Sequence, residues 1–222
     1  MSVVAVLGGT GAQGKGLALR LAMAGHEVVL GSRSAERAAE VAATVNDRVG
    51  PDSRVTGEAN AEACGGAEVV ILAVPYEGHT ELVESLRPEL SGKVVISCVN
   101  PLGFDGRGPF GLVVPDGSAA EEAARIVPDA RVVGAFHHVS ATSLWKNDGL
   151  EHEDILVCGD DAEAKAQVMD LAAAVSGHAG VDAGPLRMAR QLEPLTAVLI
   201  NVNKRYKVRS GIAVTGLPRA GH

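Results

Sequence analysis

The residues best suited to chemistry stand near the head of the chain. Gly9-Thr10-Gly11-Ala12-Gln13-Gly14 reads G-x-G-x-x-G, directly after an apolar run and before a helical pattern. In that setting each glycine has a task. Gly9 permits a tight turn, Gly11 lets backbone approach a pyrophosphate, and Gly14 lets a helix pack closely on a strand. Unpaired N–H groups and the helix dipole then face the anion. A glycine-rich turn without a ligand is the plain alternative. A Mg²⁺-nucleotide loop loses on chemistry. Gly9-x-x-x-x-Gly14-Lys15 is followed by Gly16, so the hydroxyl that would hold the metal is missing. The apolar run Val69–Val74 also ends in Pro75 rather than in an Asp.

A dinucleotide needs a second contact about 20 residues further on, where NAD binders place an acid for the ribose 2′-hydroxyl. Here the second apolar run ends Leu30-Gly31-Ser32-Arg33, with no acid before Glu36. Ser32 can donate to a 2′-phosphate, Arg33 can pair with it and stack on adenine, and Arg37 lies one helical turn on. Cations at a helix N-terminus oppose the dipole and need a reason. The expectation is therefore NADP(H), with solvated arginines as the bland alternative.

Further along, the chemistry thins out. No Tyr-x-x-x-Lys pair occurs, and the seven His show no H-x-x-x-H or Cys/His ligand spacing, so no metal site is expected. Ser143-x-x-Lys146 reads as a chance match on the surface, Asp160–Glu163 as a helix N-cap, and Glu151–Asp154 as a solvated charge run. What remains is His137-His138 at the end of a strand, on the rim where α/β sheets bind ligands. In extended chain at most one of them lines the cleft. A packed or capping His is the equal alternative. A nicotinamide site without a proton shuttle suits an acceptor that takes hydride onto its own conjugated ring.

The elements that must position these groups alternate. Strand patterns at Ser2–Leu7, Glu27–Leu30, Val69–Val74, Val94–Cys98, Arg131–Phe136, Ile155–Cys158 and Gly180–Ala183 are separated by helical patterns at 15–24, 34–46, 80–86, 118–126 and 161–176. Phe104–Gly117 reads as an irregular loop, and Leu186–Tyr206 as one long helix kinked at Pro194. The expected fold class is α/β, a Rossmann-type doubly wound parallel sheet with a small helical C-terminal lobe. Residues 1–184 would form the NADP-binding domain and 185–222 the lobe. The formal net charge of −7 argues against a nucleic-acid partner, no apolar run is long enough for a membrane, and three scattered Cys favour a reducing, cytoplasmic setting.

Taken together, Gly8–Gly11, Gly14–Arg20 and Gly31-Ser32-Arg33 resemble the NADPH-dependent F420 reductases, enzymes that pass hydride between NADP(H) and the 5-deazaflavin coenzyme F420. Cys158-Gly159-Asp160-Asp161, Val181–Leu186 and Leu192–Asn201 extend the resemblance over nearly the whole chain. It implies a homodimer and direct transfer between nicotinamide C4 and deazaflavin C5. By the same resemblance Thr10, Gly11, Ala12 and Gln13 hold the pyrophosphate, and Ser32, Arg33 and Arg37 the 2′-phosphate. Val74, Pro75, Tyr76, Asn100 and Pro101 form strand-end walls. His137, the candidate catalytic residue, flanks the ring stack with Val139, the Ala141 backbone orients the carboxamide, and Gly211 closes the pocket. Gln13, Tyr76 and His138 depart from the family pattern, and His138 leaves open which His faces the ligand. The basic residues Arg187, Arg190, Lys204, Arg205, Lys207 and Arg209 either receive the coenzyme's anionic tail, stay solvated or pair with acids. Leu195–Ile200 offers a dimer face or simple lobe core. Two other readings stay open: a reductase of imines or flavins on the same scaffold, and a non-catalytic NADP(H) sensor.

Overall fold

The computed structural model describes residues 2–146, 150 and 153–217. Its strands are β1 (Val3–Leu7), β2 (Glu27–Ser32), β3 (Val55–Ala59), β4 (Val69–Leu72), β5 (Val94–Ser97), β6 (Leu102–Asp105), β7 (Gly108–Gly111), β8 (Arg131–Gly134), β9 (Leu156–Gly159) and β10 (Val181–Asp182). The helices are α1 (Ala12–Met23), α2 (Ala35–Val49), α3 (Asn60–Gly65), α4 (His79–Ser85), α5 (Arg87–Leu90), α6 (Ala119–Ile126), α7 (Ala141–Trp145), α8 (Ala162–Ser176) and α9 (Ala189–Tyr206), the last preceded by a 3-10 turn at Leu186–Met188. The main sheet runs β10-β9-β8-β5-β4-β1-β2-β3, with apolar clusters on both faces. β1, β4 and β5 are buried along nearly their full lengths, which is why they read as unbroken apolar runs. The fold is the Rossmann-like α/β class that the sequence predicts.

Every neighbouring pair in this sheet is parallel except β8 and β9. The exception has a local cause. After β8 the chain enters α7, which stays at the strand ends beside the first turns of α1. A Cβ built on Gly16 would stand 2.6 Å from the Leu144 Cβ, so only glycine admits α7 there. Arg20 donates to the carbonyls of Ser143, Leu144 and Lys146, and Trp145 is clasped between Lys15 and Arg48 at 4.1 and 4.7 Å. Among the described residues no helix crosses the sheet at this point, and the chain enters β9 from the end at which it left β8.

Three further corrections have physical reasons. The predicted irregular stretch from Phe104 holds most of an antiparallel hairpin, β6–β7, set apart from the main sheet. Ser143 of the presumed surface match is buried in α7. Asp154 is also buried rather than solvated: its backbone N–H donates to the Ile212 carbonyl at 2.7 Å, and its carboxylate accepts from Val214 N at 2.6 Å. The segment from Ser210 to Val214 therefore folds back on the body. Residues 151 and 152 of that charge run lie outside the described residues.

Candidate active site

β1 delivers the chain to a turn that begins at Gly8, whose φ of 73° suits glycine. Gly11 N–H closes the turn onto the Gly8 carbonyl at 2.9 Å, and Gly9 N–H reaches the Gly31 carbonyl of β2 at 3.2 Å. α1 starts at once, and no side chain caps it. Its first amides therefore face the cleft, where an anion would satisfy them. Gly14 does what the motif asks, since a Cβ there would come within 2.6 Å of the Gly8 carbonyl oxygen and 2.8 Å of the Gly9 Cα. Gly9 and Gly14 shape the turn from behind, whereas Thr10, Gly11, Ala12 and Gln13 line the cleft.

Two cavities open along the C-terminal edge of the parallel strands, of about 440 and about 490 Å³. They share Gly11, Ala73, Val74 and Pro75, so they form one trough passing over the glycine turn. Ser32, Arg33 and Arg37 gather at its first end, with Asn60 of α3 beside them. Ser34 caps α2 by accepting from Arg37 N at 3.2 Å, and its hydroxyl donates to the Glu36 carboxylate at 2.7 Å. That bond holds the Glu36 carboxyl below its usual pKa and turns it onto the cap. The pole facing the trough is thus left basic.

The second end is built by the termini of β5 and β8 and by α9. Asn100 Nδ2 and the Thr196 hydroxyl both donate to the His137 carbonyl, each at 2.8 Å. This one oxygen joins the sheet edge to α9. Gln13 Nε2 donates to the carbonyl of Phe136, a fully buried residue with φ of 63°. A bulky residue in the left-handed region stores strain that the surrounding contacts must hold.

Both His rings are buried at this end. His138 Nε2 lies 2.8 Å from the Asp154 carbonyl, so that nitrogen carries the hydrogen. The His137 ring nitrogens have no partner among the described residues, and burial, then His138, pushes the imidazolium down to about 3. The His137 ring is therefore neutral near pH 7 and is not a standing cation, although one nitrogen keeps its N–H. What this residue does in the geometry is hold two side chains with its carbonyl.

Val74, Pro75, Asn100, Val139 and Ala141 line the trough as the sequence suggests. Tyr76 and Pro101 do not. Tyr76 turns away, its hydroxyl donating to Glu122 at 3.3 Å and its ring stacking on His79. Pro101 is buried at the foot of the hairpin, its carbonyl accepting from Leu112 N–H. Gly211 packs against Glu153, whose carboxyl carbon would stand 2.2 Å from a Cβ there, and its neighbour Ser210 lines the cleft in its place. Among the basic residues, Arg190 is taken by Glu121 at 2.8 Å. No group of His, Cys, Asp and Glu suited to a metal occurs among the described residues.

The wall that sequence reading missed is Thr196, Leu199, Ile200 and Asn203. Their i, i+3, i+4, i+7 spacing puts them on one face of α9, and that mixed stripe is the signal that could have found them.

Glu193 also lies on α9, buried against the start of α6. Burial pushes its carboxyl up to about 7 from 4.5, against the opposing pull of Ala119 and Ala120 N–H. The unfolded chain ionises Glu193 near pH 4.5 while the folded chain resists until about 7, so this group costs stability progressively as pH rises through that window. The expected cost above pH 7 is roughly 3 kcal/mol. Urea unfolding of Glu193→Gln and wild type should show a stability difference that moves in favour of the variant between pH 4.5 and 7 and then levels off. A difference that stays constant with pH would refute this ionisation.

Comparison with known proteins sets this geometry in context. Residues 3–101 match the family described as NADP oxidoreductase, coenzyme F420-dependent. The F420-dependent NADP reductase of Methanothermobacter marburgensis is 41% identical over 97% of this chain and 99% of its own length. That of Methanocaldococcus jannaschii is 40% identical over 96% and 98%. A crystal structure from Arthrobacter sp. FB24, described as a "putative F420 dependent NADP-reductase", superposes with a TM-score of 0.81 at 29% identity, covering 97% of this chain and all of the other.

Proposed function

The chain belongs to the F420-dependent NADP reductases, and from that premise we propose how its trough performs the reaction. The enzyme is an oxidoreductase that uses NADP(H) and coenzyme F420, the hydride passing between nicotinamide and deazaflavin. The observation that carries the site assignment is the continuous trough, basic at one end and walled by α9 at the other. Its donors suit the ligands: uncapped α1 amides for a pyrophosphate, and Ser32, Arg33 and Arg37 for a 2′-phosphate. At the far end the Asn100 Oδ1 and both His137 ring nitrogens are buried without partners among the described residues, which fits a planar heterocycle with polar edges.

In this reading the chain's residues position and enclose. Thr10, Gly11, Ala12 and Gln13 fix the pyrophosphate, and Val74 and Pro75 form the lip over which the dinucleotide turns. Val139 and Ala141 border the nicotinamide on the sheet side, while Thr196, Leu199, Ile200 and Asn203 press the second ring from α9. The His137 carbonyl keeps the two sides in register. Holding two rings at near-attack distance supplies most of the acceleration, because translational and rotational freedom is lost before the barrier. An imine reductase would need a donor for the substrate nitrogen. Burial lowers the pKa of both His137 and His138, which disfavours the imidazolium that would protonate that nitrogen.

Residues 185–222 act as the substrate lobe and 1–184 as the nucleotide domain. Lys204, Arg205, Lys207 and Arg209 sit between Asn203 and Ser210, which line the trough and are joined by a 2.6 Å bond from Ser210 N to Asn203 Oδ1. We assign this exposed basic segment, the end of α9 and the turn after it, to the anionic tail of F420. Lys207→Glu combined with Arg209→Glu should raise the KM for F420 about tenfold, flatten its ionic-strength dependence and leave the KM for NADPH unchanged. An unchanged salt dependence would return the segment to plain solvation. A homodimer through the hairpin and the outer face of α9 fits Phe104, Val113 and Val198, which are 70%, 95% and 55% exposed. No helix among the described residues is long and apolar enough to cross a membrane, and the buried free thiols support a cytoplasmic enzyme. The acidic balance of the chain goes with a small-molecule substrate and no nucleic-acid partner.

The test of direct transfer is isotopic. Deuterium placed on the transferred position of NADPH C4 should appear once in reduced F420, at C5, by mass spectrometry in ordinary water. Loss of the label to solvent would overturn the direct route.

A further inference from the structure

We propose that Glu193 is a positioning residue for hydride transfer: it fastens α9 to the start of α6 and thereby sets where the F420-facing wall stands. The inference rests on the reading of the α9 face as that wall. Glu193 is 2% exposed, yet it lies on the inward face of α9 beside Leu192 and Ala197, where an apolar residue would pack without desolvating a carboxylate. The carboxylate is fully used. One oxygen accepts from Ala119 N at 2.9 Å and the other from Ala120 N at 3.0 Å, the first two amides of α6. Ser118 already serves the third amide, that of Glu121, at 3.1 Å. α6 is thus capped partly from its own chain and partly from α9, and the α9 contribution gives an oriented joint that apolar packing lacks.

The register along α9 converts that joint into geometry at the cleft. Thr196, three residues on and on the same face, makes the bond to the His137 carbonyl, and Leu199 and Ile200 follow one turn later. Between the two anchors, Pro194 meets the hairpin, where a Cβ on Gly111 would come within 2.7 Å of the Pro194 Cβ. Beyond them α9 runs out into exposed residues, with Asn201, Lys204, Arg205 and Tyr206 on its surface. The wall is therefore held from its first half. Freed at Glu193, α9 can shift relative to the strand edges, and a displacement near 1 Å is enough to cost on the order of 10²-fold in rate.

The experiment compares wild type, Glu193→Gln, Glu193→Ala and Thr196→Val as full chains. The first readout is amide exchange at Ala119 and Ala120, which needs no substrate. It should accelerate in Glu193→Ala and less in Glu193→Gln, which keeps one acceptor oxygen. The second is a split in binding and turnover. In Glu193→Ala the dissociation constant for NADPH, by fluorescence titration, should stay within twofold, while kcat with F420 falls about tenfold to a hundredfold. Glu193→Gln should recover part of that loss, and Thr196→Val should show the same split without faster exchange in α6. The proposal is overturned by wild-type kcat in Glu193→Ala, by equal losses of NADPH affinity and kcat, or by unchanged amide exchange. A wild-type protein that binds NADPH but does not reduce F420 overturns the functional reading instead, and the exchange experiment still reports on the joint.

Discussion

Arg33→Glu should weaken NADPH binding by about a hundredfold or more while leaving NADH binding and the melting temperature nearly unchanged. The cause is local. Arg33 is exposed at the trough's first end with Ser32 and Arg37, where Glu77 also lines the wall and Glu36 is turned onto the Ser34 hydroxyl. A 2′-phosphate there gains charge-assisted bonds from two guanidiniums. The substitution removes one of them and adds a repelling carboxylate, so loss and repulsion act together. NADH carries no 2′-phosphate and feels neither. Isothermal titration with both nucleotides checks this, and equal weakening of the two would show that the arginine acts on the fold or on adenine rather than on the phosphate.

Gly14→Ala should damage stability and nucleotide binding together. The added carbon meets backbone on two sides, at 2.6 Å from the Gly8 carbonyl oxygen and 2.8 Å from the Gly9 Cα, and backbone cannot rotate away. Relief requires α1 to move off β1, at an expected cost of about 2–3 kcal/mol. The same movement drags the first amides of α1 from the pyrophosphate, so NADPH affinity should fall at least about tenfold along with stability. Gly25→Ala provides the control. Gly25 has φ of 86° but nothing within 4 Å of its added Cβ, so it should cost only about 1–2 kcal/mol and spare NADPH binding. If the two variants lose stability and affinity alike, close packing at Gly14 is not what the turn requires.

What the sequence displayed and what it hid divide along physical lines. β1, β4 and β5 are buried on both faces, so composition alone marked them, and the glycine turn and Ser32–Arg33 followed from their places at strand ends. β3 escaped because only Val55 is buried in that edge strand, which leaves no apolar run. α7 spans five residues, too few for a 3.6-residue period to register. The hairpin looked like a loop because its glycines and prolines are turn residues and its apolar side chains face outward. The half of the trough that we assign to the nucleotide is local in sequence, so its glycine turn and Ser32–Arg33 could be read as a candidate site. The substrate half is assembled across long separations, as when the His137 carbonyl receives Asn100 and Thr196, and no spacing rule reveals such a meeting. His137 itself shows the limit of reading residue types. Its ring suggested chemistry, while its main-chain oxygen does the joining.

The most direct test of the whole account is steady-state turnover by the purified protein with NADPH or NADH as donor and with F420, FMN or no acceptor. The expected result is rapid NADPH oxidation with F420, little with FMN, none without acceptor, and a loss of most activity when NADH replaces NADPH. Tight NADPH binding with no reduction of F420 would contradict the account and leave a trough that holds the nucleotide for another purpose.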